Sequence, residues 1–322
     1  MTTCLAVVVM TLAIELRSST SGALLAIALI NLMTFTSNLG AGVQAFTQLE
    51  ISLGAIARIR SFAATITPEH QPSEVYTPGP TWPSEGAIKF SQLFAAYNNI
   101  TAPALSSIDL DILPGQKIGI CGRTGSGKST ILATLLRLVE ISSGTIAIDG
   151  IDIATIPRSL LRSSFAAIPQ ESFILAGSVR INADPTNEST DDAIVAALEK
   201  VGLWDVISTR GGLDATLVDH PLSQGQQQLF GLARAMLRGA RSKILILDEA
   251  TSNVDRDTDK VMQRIIRQEF KEHTILTVAH RLETIMDSDR VLVLEKGQVL
   301  EFGSPEELLK KEGGAFREMY GK

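Results

Sequence analysis

The stretch Gly122-Arg123-Thr124-Gly125-Ser126-Gly127-Lys128-Ser129-Thr130 limits what this chain can fold into more than any other. It fits the pattern G-x-x-x-x-G-K-[ST] without a mismatch. Ahead of it Lys117-Ile118-Gly119-Ile120-Cys121 reads as a buried strand, and after it Ile131 to Leu138 has helical spacing. The glycines therefore fall between a strand and a helix. In that context backbone N–H groups can close around an anion at a helix N-terminus, where unpaired donors and the helix dipole both favour negative charge. The pattern assigns Lys128 to the β- and γ-phosphates of a nucleotide and the Ser129 hydroxyl to Mg²⁺.

A chain of 322 residues can hold two domains or one large one. Charge is spread unevenly along it: acidic and basic residues are nearly absent before Arg58 and common after Glu85. A membrane segment followed by a water-exposed domain has this signature. The net charge of −6 provides no basic field and argues against nucleic acid as the main partner. Cys4 and Cys121 lie far apart, so neither a disulfide framework nor a metal cluster follows, and Cys121 reads as a small buried residue.

From Gly22 to Phe46 the chain carries no charge and is long enough to cross a hydrocarbon layer of ~30 Å as a helix. Asn31, Asn38 and Gln44 are costly against lipid and suit a helix packed among others. Residues 4–14 form a shorter apolar run that reads as part of a preceding span; a signal peptide is the rival reading, and no basic region precedes it. Arg58 and Arg60 place the far side of the span in the cytosol, and the helical spacing continues over residues 47–64. Five prolines between Pro68 and Pro83 then mark residues 66–85 as an extended linker, with a second domain over 86–322.

Within that domain Ala87–Phe94 and Ala104–Ile112 alternate as strands on either side of a turn at Asn98-Asn99. Tyr97 closes the first; its ring could stack on an adenine or cap a core. Phe165 to Gln170 reads as a strand ending on a polar residue, and Gln170 could ligate Mg²⁺ or orient water. Helical spacing covers Asp191–Val201 and Leu203–Ile207. Lys243–Glu249 is an apolar strand ending in two carboxylates, the Walker B pattern: Asp248 for Mg²⁺, Glu249 to orient or deprotonate a water. Thr274–His280 reads as a strand delivering an imidazole to the same edge, where it could bond a γ-phosphate.

Leu222-Ser223-Gln224-Gly225-Gln226 and the helix after it resemble the signature motif of ATP-binding-cassette (ABC) ATPases. Together with the loop at 122–130, Gln170, Asp248-Glu249, Asp255 and His280, the order and spacing resemble a complete cassette. The span, its cytosolic extension and the Trp82-Pro83 linker resemble the end of the second membrane half in subfamily C, the multidrug-resistance-associated type. The resemblance implies an α/β P-loop NTPase cassette with a mixed sheet core, a helical signature subdomain and an antiparallel β subdomain, preceded by all-α transmembrane helices. It implies ATP and Mg²⁺ as ligands, Tyr97 stacked on adenine, Gln170 linking Mg²⁺ to the membrane domain, and Lys128, Glu249 and His280 as the catalytic set. Ser223, Gly225 and Gln226 would bind the γ-phosphate of a nucleotide held by a second cassette paired head to tail, with Asp255 at the seam.

The implied activity is ATP hydrolysis driving export of a solute by an integral protein of the plasma or vacuolar membrane, cassette on the cytosolic side. One departure stands out: Gln224 replaces the first of the two glycines usual in the signature, and a side chain there crowds the backbone against phosphate. The site built on Lys128 and Glu249 is accordingly expected to hydrolyse ATP, and the site closed by Ser223 and Gly225 to be the weaker. Three rival readings stand beside this one. A soluble cassette acting on nucleic acid or ribosomes is opposed by the span and the acidic balance; a regulatory or channel-type subfamily member would carry the same motifs; an incomplete product would bind ATP and lack a transport cycle of its own.

Overall fold

The computed structural model describes residues 2–15, 21–66, 68–97, 102–218, 221–248, 254–279 and 281–321. They divide into two compact units, Met1–Glu69 and His70–Lys322.

Among the described residues the first unit holds two helices, Thr2–Glu15 and Gly22–Thr65. The second is 44 residues long, which at 1.5 Å per residue is roughly 66 Å, about twice a hydrocarbon layer. It is one uninterrupted helix because it contains no proline and starts on a cap, the Ser21 hydroxyl accepting from Leu24 N at 3.4 Å. Its threonine hydroxyls are satisfied internally: Thr34 bonds Ile30 O, Thr36 bonds Leu32 O, Thr47 bonds Val43 O and Thr65 bonds Ser61 O. By length and composition this helix can cross a membrane, and no residue on it is buried.

Among the described residues the second unit contains ten strands in two sheets. An antiparallel sheet in the order β2-β1-β4-β5 is formed by β1 (Ile88–Ala96), β2 (Leu105–Ile112), β4 (Glu140–Ile148) and β5 (Ile151–Asp152). A mixed sheet in the order β10-β9-β3-β8-β7-β6 is formed by β3 (Lys117–Gly122), β6 (Phe165–Ile168), β7 (Ile244–Asp248), β8 (Thr274–Val278), β9 (Arg290–Glu295) and β10 (Gln298–Gly303). All neighbours in the mixed sheet are parallel except β9 and β10, which form a hairpin.

A sheet buried on both faces reads as a continuous apolar run, and β7 shows why. Ile244 and Ile246 point into the core shared with the antiparallel sheet, while Leu245 and Leu247 point into the core shared with the helices Asp191–Lys200, Gln224–Gly239 and Arg256–Glu269. The register pairs Ile120 with Val278 and Asp248 with Val278, so the carboxyl ends of β3, β8 and β7 lie at one edge. That edge is where the open crevices of such sheets form.

Two sequence expectations shift. The strand expected through Gln170 stops at Ile168, because Pro169 has no N–H to donate to the sheet. The helix expected over 131–138 runs Lys128–Leu135 and ends before Arg137, whose φ of +51° lies in the left-handed region.

Residues 70–85, expected as an extended linker, are fastened to the second unit. Glu74 is 2% exposed and pairs with Arg137 Nη2 at 2.8 Å and Arg158 Nε at 3.0 Å. Trp82 Nε1 donates to Ile148 O at 3.2 Å, and the Asp149 carboxylate accepts from Ser84, Glu85 and Ala87 N–H at 2.7–3.0 Å. Proline-rich composition identifies a segment without a ladder; it does not show that partners elsewhere hold it down.

Candidate functional site

The loop after β3 is shaped by glycines that could be nothing else. At Gly122, φ +148°, a Cβ would overlap the Leu294 carbonyl oxygen; at Gly127, φ +102°, it would lie 3.0 Å from Leu105 Cδ2 and 3.3 Å from Ala104 O. Gly127 caps the helix Lys128–Leu135 without a side chain, leaving the first-turn N–H groups free for an anion. Lys128 is 8% exposed, and its ammonium is turned back over the loop, donating to Gly122 O at 3.0 Å and Arg123 O at 3.3 Å. Two neutral carbonyls hold the charge without balancing it. The Ser126 hydroxyl is buried with no hydrogen-bond partner, an orphan that a phosphate oxygen would satisfy. These observations fit a bound phosphate chain. Arg123, Thr124, Gly125 and Ser129 are exposed along the same loop.

Tyr97 stands beside this helix: its hydroxyl is 3.2 Å from Thr130 Oγ1, and the residue is 68% exposed. That exposure does not fit a core cap, which would be covered. Asp248 ends β7, half-buried, two strands from the loop with β8 between them. Gln170 is exposed just past the end of β6. Ser129, Asp248 and Gln170 offer oxygen donors suited to a hard cation that keeps part of its shell on phosphate. Glu249 and His280 lie outside the described residues; their neighbours Asp248 and Ala279 reach the loop edge, with Ala279 N donating to Ile120 O at 3.1 Å. The turn expected at Asn98-Asn99 also lies outside them.

The 223–226 segment caps the helix Gln224–Gly239 through a reciprocal pair. The Ser223 hydroxyl accepts from Gln226 N at 3.3 Å, and Gln226 Oε1 accepts from Ser223 N at 3.0 Å. Both bonds consume acceptors only, so the Ser223 O–H and the Gln226 amide N–H groups stay available as donors. A Cβ on Gly225 would meet Thr258 and Asp255 first, at 3.6–3.8 Å. Asp255 itself caps the helix Arg256–Glu269; hydrogen bonds from Thr258 backbone and hydroxyl hold its carboxyl below the usual range.

Residues 105–252, which include the loop, the signature and Asp248, match the family described as ABC transporter. The chain is 46% identical over 316 residues to ABC multidrug transporter B of Aspergillus fumigatus, covering 98% of this chain and 22% of that protein. Residues 105–252 carry the nucleotide-binding domain of an ABC transporter. Domains of this class bind and hydrolyse ATP. The chain is also 44% identical over 304 residues to the ABC transporter ecdL of Aspergillus rugulosus, covering 94% of this chain and 20% of that protein. With Multidrug resistance protein fer6 of Mycosarcoma maydis it shares 43% over 297 residues, covering 90% and 22% respectively. The chain thus spans about a fifth of the length of the curated relatives it matches.

The structure of this ABC nucleotide-binding domain adds residues that the motifs alone do not reveal. Gly297, in the β9–β10 turn, donates its N–H to Ser126 O at 3.0 Å and accepts from Ser106 N at 2.8 Å, bracing the phosphate loop against β2. Gln228, 2% exposed, joins the Gln170 segment to the signature helix. The Lys-Gly dipeptide at 296–297 between apolar runs is a hairpin signal that could have pointed to the first; nothing local marks the second. Cys121 is buried beside the loop, and burial pushes its thiol up to about 12, so it is inert packing and no nucleophile.

Proposed function

We propose that the chain couples ATP hydrolysis at the 122–130 loop to export of a solute across a membrane, as one cassette of a head-to-tail pair. The observation that carries the reading is the sheet edge: the loop, Asp248 and the Gln170 segment leave it together, while 223–226 presents spare donors from the start of a different helix. A signature that points free donors outward fits service to a nucleotide on another cassette.

In this reading the loop N–H groups and Lys128 bind the phosphates, and Tyr97 offers its exposed face to adenine. Glu249 holds the attacking water and takes its proton, and His280 bonds the γ-phosphate. Mg²⁺, when bound by Ser129, Asp248 and Gln170, neutralises phosphate charge. Ser223, Gly225 and Gln226 close the partner's site across a seam that includes Asp255. Helix Gly22–Thr65 spans the membrane with its basic end cytosolic; its uncovered Met33, Phe35 and Phe46 would face lipid or the other helices of a bundle. The arrangement resembles the C-terminal half of a subfamily C exporter, and relatives named as multidrug transporters support an exported solute.

The test is ATP turnover by the full chain in detergent as its concentration is raised. Specific activity that climbs with chain concentration and vanishes in Glu249→Gln is the expected result. Turnover per chain that is independent of concentration would refute the paired site, and unchanged turnover in Glu249→Gln would refute the assigned base.

A further inference from the structure

Arginines gather the carbonyls that follow the phosphate-loop helix Lys128–Leu135. Arg162 donates Nε to Leu136 O at 3.0 Å and Nη2 to Arg137 O at 2.9 Å, and Arg158 Nη1 reaches Arg137 O at 3.4 Å. A helix leaves its last carbonyls unpaired, and cations are favoured at that end. The guanidinium of Arg137 is buried in turn, donating Nη1 to Ile153 O and Ile156 O, both at 3.3 Å. Buried cationic groups call for a carboxylate, and one that Arg137 and Arg158 share comes from the strap. Glu74 Oε1 accepts from Arg137 Nη2 at 2.8 Å and from Arg158 Nε at 3.0 Å. The helix between this cluster and the loop has eight residues, about 12 Å at 1.5 Å per residue. Its Ile131, Leu132 and Leu135 are buried, so it moves as one piece, and a displacement at Arg137 reaches Lys128 and the first-turn N–H groups.

We propose that Glu74 is a positioning residue for the nucleotide site, acting through Arg137 on the far end of the phosphate-loop helix, so that seating of the strap and binding of nucleotide favour each other. The inference rests on the reading of residues 122–130 as the nucleotide loop. Residues 70–85 are the chain's path from helix Gly22–Thr65 into this unit, so the linkage gives that helix a covalent route to the loop. Coupling of binding free energies is reciprocal. Nucleotide must therefore hold the strap down to the extent that the seated strap strengthens nucleotide binding.

The experiment is binding of trinitrophenyl-ATP to the full chain in detergent with EDTA, where hydrolysis does not intervene. Glu74→Gln keeps the side chain's shape and removes its charge; it should bind about three- to tenfold more weakly than wild type, the effect of one charge-assisted hydrogen bond. Arg137→Gln should lose a similar factor, and the double variant should bind within about twofold of Arg137→Gln alone, because one route is cut twice. Trp82→Phe, which gives up the indole bond to Ile148 O and keeps Glu74, should stay near wild type. Amide hydrogen exchange over residues 74–87 gives the reciprocal reading, since the N–H groups of Tyr76, Glu85 and Ala87 are bonded to the rest of the domain when the strap is seated. ATP in EDTA should slow that exchange in wild type and much less in Glu74→Gln.

Unchanged affinity in Glu74→Gln overturns the inference and leaves the nucleotide site standing. Losses that multiply in the double variant also overturn it, because Glu74 then acts by a route other than Arg137. An equal loss in Trp82→Phe overturns the role of the Glu74 charge. Exchange over 74–87 in wild type that ATP does not slow overturns the linkage, and this arm needs no variant to fold. Wild-type binding no tighter than that of Lys128→Ala would instead show that the loop reading has failed, and the inference with it.

Discussion

The Tyr97 hydroxyl and the Thr130 hydroxyl stand 3.2 Å apart, which places an exposed aromatic ring next to the first turn of the phosphate-loop helix. If the ring binds nucleotide by stacking, its face matters and its hydroxyl does not. Tyr97→Phe should hold ATP within about twofold of wild type, while Tyr97→Ala should lose ~1–3 kcal/mol, the range measured for base–aromatic stacking. Equilibrium binding of a fluorescent ATP analogue checks both. Equal losses in the two variants would mean that the Thr130 bond is what the tyrosine supplies.

Binding and hydrolysis separate on two other residues. Lys128 is the buried ammonium at the loop, so Lys128→Ala should abolish nucleotide binding and with it every later step. Glu249→Gln removes a base and leaves the loop intact; nucleotide affinity should persist while turnover falls by ~10² or more, the scale of general base catalysis. Parallel loss of binding and turnover in Glu249→Gln would place that residue in ground-state binding.

How much of this was legible in the chain depends on how far apart the partners lie. The phosphate loop, the Asp248 strand end and the signature are each written within a few adjacent residues, so pattern and spacing reveal them. The grip of Gln228 on Gln170 spans 58 positions and the Glu74 to Arg158 bond spans 84. No local periodicity encodes such a meeting. The linker shows the consequence: its prolines read as an extended strap, and what holds residues 70–85 down is a carboxylate whose partners follow the phosphate-loop helix and begin the helix Arg158–Ser163. Gln170 shows the smaller error, a strand end misplaced because Pro169 cannot continue the ladder.

Gly297 tests whether the loop needs its brace. With φ +77° and a Cβ position that overlaps Ala104 O, any side chain must move the β9–β10 turn away from both Ser126 and Ser106. Gly297→Val should weaken nucleotide binding about tenfold or more while leaving far-ultraviolet circular dichroism unchanged, since one loop loses its hydrogen bond and no sheet is dismantled. Full affinity in that variant would show that the loop holds its shape unaided.

Glu74 makes stability depend on pH in a stated direction. Burial works against its charge, but the Arg158 hydrogen bond and the Arg137 charge outweigh it and hold the carboxyl below its ordinary 4.5. Charge on Glu74 is therefore favoured in the folded chain. Its contribution is complete above the unfolded value near 4.5 and is lost as pH falls through the lower folded value. His70 Nδ1 at 3.1 Å and Glu140 on Arg158 complete the cluster. Glu74→Ala, which removes the carboxylate that the buried Arg137 and Arg158 guanidinium groups share, should cost about 3 kcal/mol at pH 7. The gap between wild type and variant should close progressively below about pH 4.5, where the wild-type carboxylate is neutralised. Urea unfolding of the full chain, followed by fluorescence of Trp82 on the same strap, reads both quantities. A gap that stays constant down to pH 3 would show that Glu74 stabilises the strap by packing and not by its charge.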